Sequence, residues 1–426
     1  MLLIKNVLIV TQNAKREILR GNILIEGNKI KAVGSTKKLE GAREAIDGQN
    51  MVAIPGFVNT STHIPMTLFR GYGEGLPLQE WLEKKIWPAE RKLTNDDLYW
   101  GSMLGIAESL HSGITTFLDM YINDINYIGR AIEHSGIRGF ISLGMMDVGG
   151  ISGSISEQLK KTEEIRKRWE NNKRVGVAVA CHAPYTCSAE LISKAKEYAK
   201  KRNLIFHIHA AETRKEVFDL LNSKKMRVIE YFDSLNVLDE KTILAHGSWV
   251  TKREIGIVAK KGAHISSNTI SNLKLATGGI CPLLEYKNAG ANVTLATDGA
   301  SSNNSLNMFE TMKMASLLQK HSHWDATAIN AQDALDFATI NGAKAMGINA
   351  GSIEEGKLAD VVLLRMDSNL TPVHNIVDNI VYAGNPSNVA YVIVDGKVVL
   401  RNGRLTFFDE NEAKKQVQIR AERLCR

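Results

Sequence analysis

The stretch Val52–His63, VAIPGFVNTSTH, decides how the chain is read. It starts as an apolar run of the length and composition of a buried strand. It ends in the polar cluster NTSTH, residues 59–63. One histidine beyond a strand end means little. A second one two residues earlier would make a metal-binding pair, and that position holds Ser61. Whether the run opens a metal-dependent barrel depends on the pattern of the residues beyond it.

Those residues alternate between two kinds of segment. Further strand-like runs stand at GITTFLDMY (113–121), IRGFISLGM (137–145), VGVAVACHA (175–183), LIFHIHAAE (204–212), TILAHG (242–247), GAHISS (262–267) and NVTLATDG (292–299). Amphipathic segments separate them. One is 95–112, NDDLYWGSMLGIAESLHS, with Asn95 expected as its N-cap and Gly113 just past its end. Strands alternating with helices over this length argue for a (β/α)8 TIM-type barrel, an α/β fold. The alternation alone leaves an open doubly wound sheet possible, but no GxGxxG comes after the first strand, which weakens a dinucleotide-binding reading.

Both ends of the chain are different. Residues 2–33 read as short strands with a Gly-Asn hairpin turn, and LADVVLLRM (358–366) and VAYVIVDGKVVLRNGRL (389–405) read as strands with an Asp-Gly turn. They are expected to pack together as a small β-sandwich. The expected organisation is a composite β domain from residues 1–54 and 350–426, and a barrel from 55–349.

Composition excludes several classes. Four cysteines at 181, 187, 281 and 425 form no CxxC pair, so reduced thiols are expected. The 53 basic and 46 acidic residues give a net charge of +7, but lysines alternate with glutamates, as in KAKEYAKKRN, and no basic run is interleaved with aromatics. This indicates a solvated surface, not a nucleic-acid partner. No stretch reaches the roughly 20 apolar residues that cross a bilayer. The N-terminus lacks the pattern of a signal peptide, so a cytoplasmic protein without a membrane partner is expected.

In a barrel, reactive groups sit at the C-terminal strand ends. His63, His182, His207, His209 and His246 lie there, with Glu212 three residues beyond His209 and Asp298 after the last strand. A lone buried histidine is more often a core residue than a ligand; several on one rim reverse that preference. Imidazole and carboxylate suit zinc, and also iron, manganese or nickel. One divalent ion would lower the pKa of a water toward about 7. Glu212 could then take up a proton and pass it on, and His246 could hold the attacking oxygen.

The segments IPGFVNTSTHIPMTLFRG, HIHAAET, LAHGSWV, ATDGASSNNSLNMFETMK and GSIEEGKLADVVLL resemble the amidohydrolase superfamily. Within it they are similar to the 5-methylthioadenosine/S-adenosylhomocysteine deaminases and the related 5′-deoxyadenosine deaminases. The resemblance runs in order over nearly the whole chain. It implies a metal held at positions 61, 63, 209 and 298, here Ser61, His63, His209 and Asp298. It implies Glu212 as proton shuttle, His246 as the oxygen-orienting histidine, and hydrolytic deamination at C6 of adenine in a small-molecule nucleoside. Trp81 and Glu90 match residues lining the nucleoside pocket, His182 a nucleoside contact, and Ser302 a position near the 5′ substituent. A homo-oligomer is expected by analogy.

Three departures matter. Ser61 replaces the first metal histidine, and serine is a poor neutral ligand, so weakened metal affinity and low activity are expected. Leu143 stands where some members carry an arginine for the carboxylate of S-adenosylhomocysteine, which favours substrates without that group. HISSNTISNLKL (264–275) departs from the family's His-x-Pro-x-Ser-Asn. The other readings are an aminohydrolase or chlorohydrolase acting on guanine or a triazine ring, and a non-catalytic binding member of the fold. Retention of both Glu212 and His246 argues against the last.

Overall fold

The computed structural model describes residues 1–35, 43–148 and 153–426. The opening stretch divides at Gly56. Residues Met51–Pro55 join an outer sheet, and Phe57–Thr62 form the first barrel strand. A Cβ at position 56 would lie 2.1 Å from the Thr115 hydroxyl oxygen, so only glycine lets the chain cross there.

The barrel strands run in chain order: β1 (Phe57–Thr62), β2 (Ile114–Tyr121), β3 (Arg138–Met145), β4 (Val179–Cys181, preceded by the short strand Val175–Val177), β5 (Phe206–Ala210), β6 (Thr242–His246), β7 (His264–Ser267) and β8 (Asn292–Leu295). Neighbours pair in parallel from β1 to β8. The last seam, between β8 and β1, is closed by side chains and single backbone bonds. The Asn59 amide binds the Thr297 hydroxyl at 2.7 Å, the Thr297 N–H donates back to Asn59 at 3.1 Å, and the Asp298 N–H donates to the Ser61 carbonyl at 3.1 Å.

Helices lie between the strands and bury their apolar faces on the outside of the barrel. The helix Asn95–His111 shows how one is specified. Its N-cap is Thr94, not Asn95: Thr94 and Asp97 form a reciprocal capping box, which satisfies two otherwise orphaned N–H groups.

The termini make one nine-stranded, mostly antiparallel sheet. Met51–Pro55 links its two halves, pairing in parallel with Leu2–Val10 and antiparallel with Val361–Arg365. The Gly27–Asn28 and Asp395–Gly396 turns both connect adjacent antiparallel strands. The sheet has its own apolar core around Ile4, Ile9, Ile25, Val361 and Ile393. The C-terminal segment also supplies the helix Glu410–Leu424, which packs against the helix Asn95–His111 of the barrel; Arg420 pairs with Asp97 at 3.4 Å.

The sheet is fastened to the barrel by a buried ion network. Arg138, the first residue of β3, is 5% exposed and contacts Asp360 at 3.2 Å and Asp395 at 3.3 Å. Asp360 directly precedes the outer-sheet strand Val361–Arg365, and Asp395 lies in the turn after Val389–Val394. Replacing Arg138 with methionine would leave the buried Asp360 and the half-buried Asp395 without their cation, and the expected loss is about 3–5 kcal/mol. A urea titration monitored by far-UV circular dichroism measures it; a loss under about 1 kcal/mol, the level of an exposed pair, would contradict a buried network.

Candidate active site

The C-terminal ends of the strands surround a cavity of about 400 Å³, within the range of small-molecule sites. Its floor carries His63, His209, Glu212, His246 and Asp298, and its wall includes Trp81, Glu90, His182 and Ser302. Residues that lie far apart in sequence are brought together because each comes after a different strand of the same barrel.

His63, His209 and Asp298 can each turn one ligand atom into a group whose members all lie within 4.8 Å of one another. The orientation of His63 is set by β2. Its Nδ1 donates to the carbonyl of Met120 at 2.6 Å, which leaves Nε2 facing Asp298 Oδ1 at 3.2 Å. The neighbouring Ile64 N–H donates to Asp119 at 2.6 Å. With a proton on Nδ1, an uncharged His63 would set a lone pair against a carboxylate. Only a positive charge between them relieves that: a proton on the ring, or a cation. In the metal-free protein, burial opposes the charge on His63, but Asp298 outweighs it and raises the ring's pKa to about 9.

The rest of the trio is arranged the same way. Asp298 accepts from the Ser271 hydroxyl at 2.6 Å and the Ser302 hydroxyl at 2.9 Å, both on Oδ2. This leaves Oδ1 directed at the histidines. Burial works against its charge, yet His63 holds its carboxyl well below the usual range. Burial and the surrounding imidazoles keep His209 neutral, as a metal ligand must be. Among the described residues, the buried Nε2 of His209 has no hydrogen-bond partner. Such orphaned buried atoms are uncommon. Two nitrogens and a carboxylate oxygen converging in this way fit a divalent cation with imidazole and carboxylate preferences.

Glu212 and His246 stand beside this trio. Their side chains approach to 3.7 Å. Amide nitrogens face both ring nitrogens of His246, Asn272 at 3.1 Å from Nδ1 and Asn268 at 3.4 Å from Nε2; the shorter contact, a donation to Nδ1, puts the proton of the neutral ring on Nε2, the nitrogen 3.7 Å from Glu212. Burial lowers the His246 pKa to about 4 and keeps the ring neutral. The Glu212 carboxyl is pushed well above the ordinary range, chiefly by burial and then by Asp298 and Glu216. His246 and Asp298 both adopt positive φ, 74° and 61°. Non-glycine residues in that region cost about 1–3 kcal/mol and cluster at functional sites.

Trp81 lines the cavity and donates its indole N–H to the Tyr72 carbonyl at 3.2 Å. Glu90 is buried, and burial raises its pKa to about 7, against the opposing pull of Tyr121 and His63. His182 lies on the wall with Nδ1 2.8 Å from the Thr186 hydroxyl. The Ser302 hydroxyl donates to Asp298, so it sits at the His63–His209–Asp298 end of the cavity. Ser61 is fully buried, and among the described residues its hydroxyl has no partner. His207 is also buried, with neither ring nitrogen bonded among the described residues, and does not reach the cavity wall; nor does Leu143, although Gly144 does. Sequence reasoning gave no role to the stretch 264–275. The short helix Thr269–Lys274 within it supplies Ser271 to Asp298 and Asn272 to His246. A run of hydroxyl and amide side chains directly after a barrel strand was its only signal.

The residues 52–399 match the Amidohydrolase family. The chain is 43% identical to the 5′-deoxyadenosine deaminase of Methanosphaera stadtmanae over 99% of both chains. It is 38% identical to the 5-methylthioadenosine/S-adenosylhomocysteine deaminase of Dictyoglomus turgidum over 94% of both. Its fold superposes on the crystal structure of an adenosine deaminase from Xanthomonas campestris with bound zinc, at a TM-score of 0.95 and 29% identity, covering 99% of this chain and 98% of the other. A barrel with this rim chemistry and these relatives leaves one assignment: the chain belongs to the amidohydrolase family.

Proposed function

We propose that the protein is a metal-dependent aminohydrolase that converts adenine nucleosides with a modified 5′ position into the inosine analogue and ammonia. The observation that carries this reading is the pairing of Glu212 and His246 beside a convergent His63–His209–Asp298 group. The named activities of the relatives support the nucleoside class.

His63, His209 and Asp298 would hold the ion, with zinc the leading candidate because the Xanthomonas campestris structure contains it; iron, manganese or nickel share the ligand preference. When bound there, the ion makes a water acidic enough to lose a proton near neutral pH. The Nε2–H of His246 is placed to donate to the attacking oxygen. Ionised Glu212 takes the water's proton and delivers it to the ring nitrogen beside C6; it then takes the proton of the new C6 hydroxyl and passes it to the amine, which leaves as ammonia. The balance is water plus the C6 amine giving a C6 carbonyl and ammonia.

In the proposed pose Trp81 packs on the nucleoside, His182 contacts it, and Glu90 accepts from the paired ribose hydroxyls. Met66, Leu78, Leu82, Met146 and Leu275 make much of the wall apolar, which suits a 5′-deoxy or methylthio group. Arg91, an exposed arginine on the same wall, keeps S-adenosylhomocysteine within the class. The reading includes a cytoplasmic homo-oligomer; no helix among the described residues is long and apolar enough to cross a membrane.

Ammonia release from 5′-deoxyadenosine, methylthioadenosine and S-adenosylhomocysteine, with and without added zinc or manganese, tests the assignment. The Ser61→His protein is expected to turn over at least one of them faster than the unmodified chain. No ammonia from either protein with any of the three would reject the nucleoside reading.

Ser61→His also restores an imidazole at the fourth protein position. Since losing even an indirect partner costs about 10–100-fold in metal affinity, zinc affinity by chelator competition should rise at least about tenfold. Glu90 should make binding pH-dependent. Below its pKa of about 7 it carries a proton, and above it both oxygens accept. The Kd of 5′-deoxyinosine, by calorimetry, should therefore fall up to about tenfold from pH 6 to 8. Glu90→Gln should bind weakly throughout, with no such slope.

A further inference from the structure

Glu216 lies outside the cavity wall, in the first turn of the helix Arg214–Lys224 that comes after β5. It is 4% exposed and, among the ion pairs of the described residues, has no cationic partner. A buried carboxylate without a cation is costly unless hydrogen bonds satisfy it. Those bonds are all to backbone. One oxygen accepts from the Ala211 N–H at 2.9 Å and the other from the Glu212 N–H at 2.8 Å. The Glu216 N–H is in turn held by the Thr213 hydroxyl at 3.1 Å.

The two N–H groups belong to the turn that aims Glu212 into the cavity. Ala211 there has φ of 51°, a left-handed conformation that an alanine adopts only when its surroundings impose it. The same turn also anchors the next strand. The Ala210 carbonyl accepts from the Gly247 N–H at 2.9 Å, and the Ala211 carbonyl accepts from Ser248 at 3.0 Å and Trp249 at 2.9 Å. The loop that begins at His246 is therefore registered on the peptide that Glu216 clamps.

We infer that Glu216 is a positioning residue for proton transfer: its carboxylate fixes the 210–212 turn and thereby sets the placement of Glu212 and His246 relative to each other. This rests on the reading of Glu212 as the proton carrier. It extends that reading to a side chain that touches neither substrate nor metal ligands. Two hydrogen bonds to one turn leave the carboxylate little freedom, and a misplacement of about 1 Å at such a site can cost about a hundredfold in rate.

The test compares Glu216→Gln and Glu216→Asp with the parent, all carrying Ser61→His and saturated with zinc. Glutamine keeps the size but presents an NH2 to one of the two N–H donors; aspartate keeps the charge but withdraws it by one methylene. Both variants should lose at least about tenfold in kcat with KM within about twofold, at full zinc occupancy. Hydrogen exchange of the Ala211 and Glu212 amides should accelerate at least about tenfold while amides in β5 and β6 keep their protection. Unchanged exchange at these two amides, or a kcat loss matched by a loss of folded protein or of zinc, overturns the proposal. Glu212→Gln separates the two levels: if it retains parental turnover the proton-carrier reading has failed, whereas the exchange result still decides whether Glu216 holds the turn. If Glu216→Gln does not fold, Glu216→Asp carries the same comparison.

Discussion

The carboxylate of Asp298 is the point on which the site depends. Its backbone N–H helps close the barrel by bonding to Ser61 across the β8–β1 seam. Its Oδ2 is held by two serine hydroxyls, one from the short helix Thr269–Lys274 after β7 and one from its own turn. Its Oδ1 is thereby turned toward His63. Closure of the fold and presentation of this oxygen to the cavity floor are thus the same event. The strained backbone at Asp298 is tolerated because bonds from β1, the helix after β7 and its own turn over-determine it.

Electrostatics divides the floor of the cavity into two parts. On one side an acid and an imidazole face each other in a way that calls for a cation. On the other, burial keeps His246 neutral and raises the Glu212 carboxyl, which makes it a stronger proton acceptor than an ordinary glutamate. This pairing of a cation site with a proton-holding carboxyl suits hydrolysis of an amine, where water must lose a proton and nitrogen must gain one. In the proposed reading Ser61 belongs to the first part and leaves the second unchanged.

Much of this was legible in the sequence. Eight strand-like runs with helical segments between them point to a parallel α/β fold, because parallel strands buried on both faces read as continuous apolar runs; their number and the length of the chain favour the barrel over an open sheet. The polar ends of those runs mark His63, His209, Glu212, His246 and Asp298 as rim residues. The run Val52–Asn59 shows no break in its apolar character where the chain changes sheets; the mark was Gly56, and its meaning depends on Thr115, distant in sequence. The N-cap of the helix Asn95–His111 lies one residue earlier than expected because Thr94 and Asn95 are both good caps, and Asp97 decides between them. The supporting residues Ser271, Asn272 and Glu216 were missed for a related reason. Each acts through a bond to a residue elsewhere in the fold or to backbone, and neither kind of partner leaves a pattern in composition or spacing.

The most direct measurement is a crystal of the zinc-soaked protein, with anomalous data collected on both sides of the zinc edge. The account predicts one peak in the cavity floor, within coordination distance of about 2.0–2.2 Å of His63 Nε2, a His209 ring nitrogen and Asp298 Oδ1. A peak at another set of residues, or no peak in the floor at millimolar zinc, would contradict it.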